Sequence, residues 1–192
     1  MTIILRLPAA FEPLNALPLV GALAIARAIN SILRIQTFVR WPNDVVVDDS
    51  KLAGVLVETR FDGNRPEFAL LGLGVNANFH KSLISAINEK STSLLDVLDL
   101  PIDRVPIICS MLSETEQLYD SLCSGGAVDV LQLLKGAESS LGRSVTVKVE
   151  GGTVAGIVED YESLTRVRIA KDDGSHVTVE TGSVISVEYA GS

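Results

Sequence analysis

The 192-residue chain has two cysteines, two histidines and one tryptophan, and nowhere a cluster of basic residues. Each scarcity excludes something. Cys109 and Cys123 fall in one helical pattern, where a rise of ~1.5 Å per residue sets them about 21 Å apart, far past the ~7 Å Cα limit for a disulfide. With no Cys-x-x-Cys pair and only His80 and His176, which read as surface histidines, a structural zinc site has no ligand set. Free thiols suit a reducing cytoplasm. A net charge of −8 leaves no electrostatic footprint for nucleic acid. The longest apolar run, Leu17 to Ala26, is cut by Arg27 short of the ~20 residues a bilayer requires. The first residues read as a strand, without the basic start of a secretory signal. Gly72-x-Gly74 lacks the third glycine and following helix of a dinucleotide-binding turn, and no Walker A stretch occurs.

What is present is ample apolar content, 47% hydrophobic residues, in patterns that change along the chain. Thr2 to Leu7 reads as a strand. Pro13 to Leu33 contains a helix with Ala22, Ala26 and Ile29 on one side and Arg27, Asn30, Ser31 and Arg34 on another. Gln36 to Arg40 predicts a buried strand that Pro42 ends, because proline has no N–H for the ladder. Val45 to Val47 and Lys51 to Arg60 form a hairpin through Asp48-Asp49-Ser50, and Asp62-Gly63-Asn64 turns the chain into Glu67 to Asn76. From Asp103 to Leu122 the apolar residues recur at helical spacing, with Ser124-Gly125-Gly126 as the stop. A short helix spans Val128 to Leu134. Beyond Leu141, Val145/Val147/Val149, Val154/Ile157, Val167/Ile169, Val177/Val179 and Val184/Ile185/Val187 predict five short strands, as in a small SH3-like barrel. The expectation is an α/β (α+β) protein with a mixed sheet packed with helices over 1–138, followed by an SH3-like C-terminal domain over 141–192.

One stretch breaks the apolar pattern. Arg40-Trp41-Pro42-Asn43-Asp44, followed after a short strand by Lys51-Leu52-Ala53-Gly54, sets charges and an amide between Val-rich strands. Buried polar groups cost several kcal/mol unless partnered, about 2–7 kcal/mol for a neutral one, so the pattern points to a site. A capped turn, with Asn and Asp bonding nearby N–H groups, is the structural alternative for the first half alone. Gly72-x-Gly74 by itself would mark only a bulge or close packing, and Ser91-Thr92-Ser93-Leu94 a turn and helix start.

Taken together, these residues resemble the signature of biotin protein ligases. Leu71-Gly72-Leu73-Gly74-Val75-Asn76-Ala77-Asn78 is similar to that family's glycine-rich strand ending in Asn, Ser91-Thr92-Ser93-Leu94 to its Thr-Ser-Leu element, and the β-rich tail to its C-terminal domain. The resemblance implies a two-step acyl transfer: biotin's carboxylate attacks the α-phosphate of ATP, and the biotinyl-adenylate passes to a lysine of a biotin carboxyl carrier protein. It implies catalytic roles for Arg40, Lys51 and Asp44, and Mg²⁺ held at Asp44. Trp41, Asn43, Gly54, Leu56, Gly74 and Asn76 would line the biotin and nucleotide sites, Asn76 meeting adenine. Gly54 and Gly74 would allow close backbone approach.

Three features depart from the family pattern. A Gly-Arg-Gly-Arg-type loop and the residues that grip the biotin head should precede a segment like Thr2 to Pro8. Arg40 stands where relatives often carry lysine, an exchange that swaps a compact ammonium for a planar fork. Glu188 stands where relatives often carry an arginine directed at the nucleotide. The expectations are therefore an incomplete or split ligase, completed by a separate polypeptide carrying that loop, or a non-catalytic ligase-like module binding nucleotide or carrier protein. An exposed sheet edge predicts a homodimer or a stable complex with the missing half.

Overall fold

The computed structural model describes residues 1–8, 11, 13–83 and 90–190. Strands β1 (Thr2–Arg6), β2 (Phe38–Arg40), β3 (Asp44–Val47), β4 (Ser50–Asp62) and β5 (Arg65–Val75) form one sheet in the order β1-β5-β4-β3-β2. Every pairing in it is antiparallel, which corrects the expected mixed sheet. The reason is local: β2 to β5 follow one another through short reversals, and such hairpins join only antiparallel neighbours. At the tightest one Asp48 and Asp49 adopt φ of 46° and 62°, the left-handed values that a two-residue hairpin turn demands and that Asp tolerates.

Helix α1 (Leu17–Leu33) covers one face of this sheet. Pro18 near its start supplies a preset φ where no N–H partner is needed, and Arg34 closes it in the left-handed region, its N–H donated to Asn30 O at 3.1 Å. Gly21 lets the helix approach closely, since a Cβ there would lie 2.9 Å from Val55 Cγ1 and 3.0 Å from Leu73 Cδ2. With its preceding turn the segment Leu14–Leu33 is, by length and composition alone, apolar enough to cross a membrane, so Arg27 does not cut the run as expected. Here it is the core helix, and Arg27 pairs with Glu114 at 2.5 Å on α3 (Arg104–Cys123). Cys109 and Cys123 both lie on α3 as free, exposed thiols.

A short α2 (Leu94–Leu98) precedes α3, and α4 (Ala127–Ala137) follows it, running through Gly136 rather than stopping at Leu134. Strands β6 (Ser144–Val149), β7 (Gly152–Ser163), β8 (Arg166–Ala170), β9 (His176–Glu180) and β10 (Val184–Tyr189) make a second antiparallel sheet, ordered β10-β6-β7-β8-β9. All five expected strands are present. Residues 191–192 of the expected 141–192 domain lie outside the described residues.

Candidate functional site

The sheet has an outer face that α1 does not cover. Cross-strand pairs share a face, so the registers Asp44↔Gly54↔Gly74 and Leu56↔Gly72↔Thr2 place three glycines side by side there. They are not equivalent. A Cβ on Gly54 would crowd Lys51 Cε at 3.2 Å and Nζ at 3.3 Å, so this glycine makes room for Lys51. Gly72 and Gly74 have no such internal reason. A Cβ on Gly72 would come no nearer than 3.4 Å to Leu56 O, and one on Gly74 no nearer than 3.5 Å to Gly54 O, both ordinary contacts. No contact among the described residues requires this bare backbone floor, and it leaves room for something flat. It forms a shallow cavity of 460 Å³, with Leu56, 67% exposed, as its apolar wall and Lys51 and Asn43 at its edge.

Lys51 and Asn43 also line a second, charged cleft of 620 Å³ with Arg40, Asp44, Lys90 and strand β10. Lys51 Nζ lies 2.5 Å from Asp44 Oδ1, an ion pair whose carboxylate oxygen is buried and out of hydrogen-bond alignment. Arg40 Nη2 lies 3.8 Å from Asp44 Oδ2. Asp44 thus holds two cations at fixed spacing. The Lys51 backbone is pinned by a strap: Lys51 N–H donates to Lys90 O at 2.7 Å, and Thr92 N–H to Lys51 O at 2.9 Å. From Thr92 the chain enters α2, where Ser93 caps Asp96 N–H and Asp96 in turn accepts from Ser93 Oγ and Lys81 N–H. These contacts hold the Asp96 carboxyl below its ordinary pKa, the Ser93 bond most of all. Ser91 to Leu94 is therefore a turn and helix start that also fixes a site lysine.

Arg40, Asp44, Lys51, Asn43, Gly54, Leu56 and Gly74 come together as expected. Asn43 divides the two cavities with its amide committed to Val55 O at 2.8 Å. Two expected ligand contacts have other partners. The Trp41 indole is buried, 1% exposed, with its N–H donated to Thr181 Oγ1 at 3.2 Å, so the residue lines the charged cleft while its side chain ties the two sheets together. Asn76 Nδ2 donates to Thr92 O at 2.9 Å and lies 3.5 Å from Lys51 O, outside both cavities, and so steadies the strap. Lys90 and Gly72 were missed. The register with Leu56 could have found Gly72; no local signal marks Lys90. Glu188 lies on the cleft wall as its place in β10 requires. Among the described residues no group of three or more His, Cys, Asp or Glu could hold a metal. Asp44 alone matches the one or two carboxylates that Mg²⁺ takes when phosphates supply its other ligands.

A cation-rimmed cleft opening onto a bare, flat floor has the shape and charge to take a planar small molecule beside a phosphate-sized anion. Residues 3–76 match the model of the biotin/lipoate A/B protein ligase family. The chain is 28% identical over 174 residues to the biotin–[acetyl-CoA-carboxylase] ligase of Mycobacterium tuberculosis, covering 88% of this chain and 61% of that protein. To the bifunctional ligase/repressor BirA of Bacillus subtilis it is 26% identical over 157 residues, 81% of this chain. It spans only 48% of that protein's length. In fold it is similar to the Aquifex aeolicus biotin protein ligase in complex with biotin and ATP, with a TM-score of 0.85 at 23% identity over 98% of this chain and 77% of that one. A biotin protein ligase-like protein of unknown function from Silicibacter sp. TM1040 gives 0.75 at 12% identity, covering 96% and 80%.

Proposed function

We propose that this chain forms the adenylate-binding side of a biotin protein ligase, which activates biotin with ATP and transfers it to a lysine of a carboxyl carrier protein. The observation that carries the reading is the Gly72–Gly74 floor, which no contact among the described residues requires, lying against the Asp44-aligned cations. A flat ring system fits the floor, and its carboxylate then reaches the cleft at Lys51.

In the first step a biotin carboxylate oxygen forms a bond to the α-phosphorus of ATP while the bond to the bridging oxygen breaks, its electron pair leaving with pyrophosphate. Negative charge grows at the α-phosphate. Lys51 and Arg40, already oriented by Asp44, stabilise that charge without reorganising during the reaction. In the second step the neutral amine of the carrier lysine attacks the acyl carbon and AMP departs. Asp44 is the residue able to hold Mg²⁺, which when bound supplies further charge neutralisation at the phosphates.

The same reading divides the chain into a catalytic domain over 1–138 and an SH3-like domain over 141–192, working in the cytoplasm. A Gly-Arg-Gly-Arg loop from outside these 192 residues completes the phosphate site. The free outer edge of β1, which pairs only with β5 among the described strands, is the edge through which two copies would associate. Glu188 on the cleft wall favours a second reading, a non-catalytic module that binds adenylate. Biotin-dependent exchange of labelled pyrophosphate into ATP, run beside calorimetry with a non-hydrolysable biotinyl-adenylate analogue, separates them. Binding with exchange supports the ligase, and binding without exchange the module. Neither, at hundreds of micromolar probe, sinks both.

A further inference from the structure

Three hydrogen bonds close a ring on Trp41. Trp41 N–H donates to Ser140 Oγ at 3.0 Å, and Tyr189 Oη lies 2.7 Å from Trp41 O and 3.1 Å from Ser140 Oγ. A carbonyl can only accept, so the Tyr189 hydroxyl donates to Trp41 O, and its 3.1 Å approach to Ser140 Oγ closes the ring. Trp41, Ser140 and Tyr189 are all buried, where a bond left unmade costs the desolvation of its group.

The ring of Tyr189 also lies against Arg40, whose guanidinium carbon is 5.5 Å from the aromatic centroid. Arg40 is itself buried, 8% exposed, and donates through Nη1 to Asp49 O at 3.2 Å. Asp49 is held in turn by Arg143 at 2.5 Å, just ahead of β6. Besides Asp44, then, the groups that locate the Arg40 guanidinium are Tyr189 itself and the hairpin tip that Arg143 anchors.

We infer that Tyr189 is a positioning residue for Arg40: the closed ring fixes the Arg40-Trp41 backbone, the aromatic face fixes the guanidinium, and the second sheet thereby sets the anion-binding geometry of the first. The inference rests on the nucleotide reading proposed above. It assigns to the last strand a task that needs no contact with ligand.

The chain's one tryptophan, Trp41, makes the ring directly observable. Calorimetry with ATP and the biotinyl-adenylate analogue, with Trp41 emission recorded in parallel, is run on Tyr189→Phe and Tyr189→Leu. The Phe variant opens the hydrogen-bond ring but keeps the aromatic face, so emission shifts while affinity stays within about 3-fold; the Leu variant loses both, and affinity falls about 10-fold. In an Arg40→Gln background the Leu substitution costs under about 2-fold, because its target is gone. Tyr189→Met, of similar volume, takes the place of Leu should that variant not fold. Additive losses in the double variant, or unchanged affinity in Tyr189→Leu, overturn the inference. If the wild-type chain binds neither probe, the nucleotide reading falls and positioning is judged on the Arg40 Nε–H resonance in ¹⁵N spectra. Its loss in Tyr189→Leu with retention in Tyr189→Phe upholds the inference, and no change in either overturns it.

Discussion

Glycines of the first sheet and of the second stand in opposite surroundings. On β5, Gly72 and Gly74 are bare, and a methyl group on either would meet the neighbouring strand only at van der Waals distance, Leu56 O and Cβ for Gly72 and Gly54 O for Gly74. On β7, Gly156 has the Ala170 backbone pressed against it, and a Cβ there would collide with the Ala170 oxygen and lie 2.8 Å from Ile169 Cγ2. Gly72 and Gly74 thus leave open surface where Gly156 serves its sheet's own packing. Charges divide the same way. Arg40, Asp44 and Lys51 face a cleft, whereas the ion pairs Arg168–Glu159, Arg166–Glu180 and Lys135–Asp160 lie on surfaces of the second sheet and α4.

The largest effect expected from this contrast is on the glycines. Gly74→Leu should weaken the biotinyl-adenylate analogue at least ~100-fold, roughly 3 kcal/mol, by calorimetry. The folding free energy of Gly74→Ala should stay within about 0.5 kcal/mol of wild type by urea denaturation. Gly156→Ala should do the reverse, costing about 1–3 kcal/mol of stability for an overpacked contact while leaving ligand affinity intact. A Gly74→Ala variant that unfolds more readily than Gly156→Ala would remove the ground for calling the floor a binding surface.

An effect on rate rather than on affinity separates the two lysine pairs. Lys51→Gln removes a cation aimed at developing charge and should lower pyrophosphate exchange about 10²–10³-fold, at a stability cost of about 1 kcal/mol. Lys135→Gln breaks its 2.7 Å pair with Asp160 and should change stability by about 0–1 kcal/mol, the worth of a surface pair, with exchange rates unmoved. Equal losses of exchange in both variants would show that the cleft has no special claim on its cations.

Local patterns made most of the elements legible. Alternation gave the strands, the Asp48-Asp49 turn the hairpin, and helical spacing the run that became α3. Strand direction was less legible, since a mixed sheet and an antiparallel one share the same alternation. The motif residues Arg40, Asp44 and Lys51 were readable because charge in a Val-rich segment is locally anomalous. The side-chain partners of Trp41 and Asn76 were not legible, because motif membership says nothing of which neighbour takes a side chain's hydrogen bond. Those neighbours lie on other elements: Thr181, 140 residues on, for Trp41 and Thr92, 16 residues on, for Asn76. Tyr189 and Ser140 were invisible for the same reason, since their bonds to Trp41 span most of the chain.

The smallest effect is a pair of opposite pH slopes. Asp96, on the strap side, is held below its ordinary pKa by the Ser93 hydroxyl, with Lys81 N–H and His80 adding to it. Its native state therefore sheds a proton that the unfolded chain keeps, so the stability it contributes is present above the ordinary carboxylate value of about 3.9 and is lost as pH falls toward the native one. Glu138 sits between the two sheets, accepting from Ser140 N–H at 2.6 Å and Tyr161 O–H at 3.2 Å, and burial raises its pKa despite those bonds. Its contribution runs the other way, full below the ordinary value of about 4.3 and declining as pH rises through the native one. Urea denaturation from pH 3 to 7 resolves the two. Asp96→Asn should flatten the acid limb of the stability curve, and Glu138→Gln should remove a decline on its neutral side. Slopes that change in the same direction in both variants would mean that burial at the junction does not outweigh the hydrogen bonds around Glu138, and that this carboxyl resembles Asp96 after all.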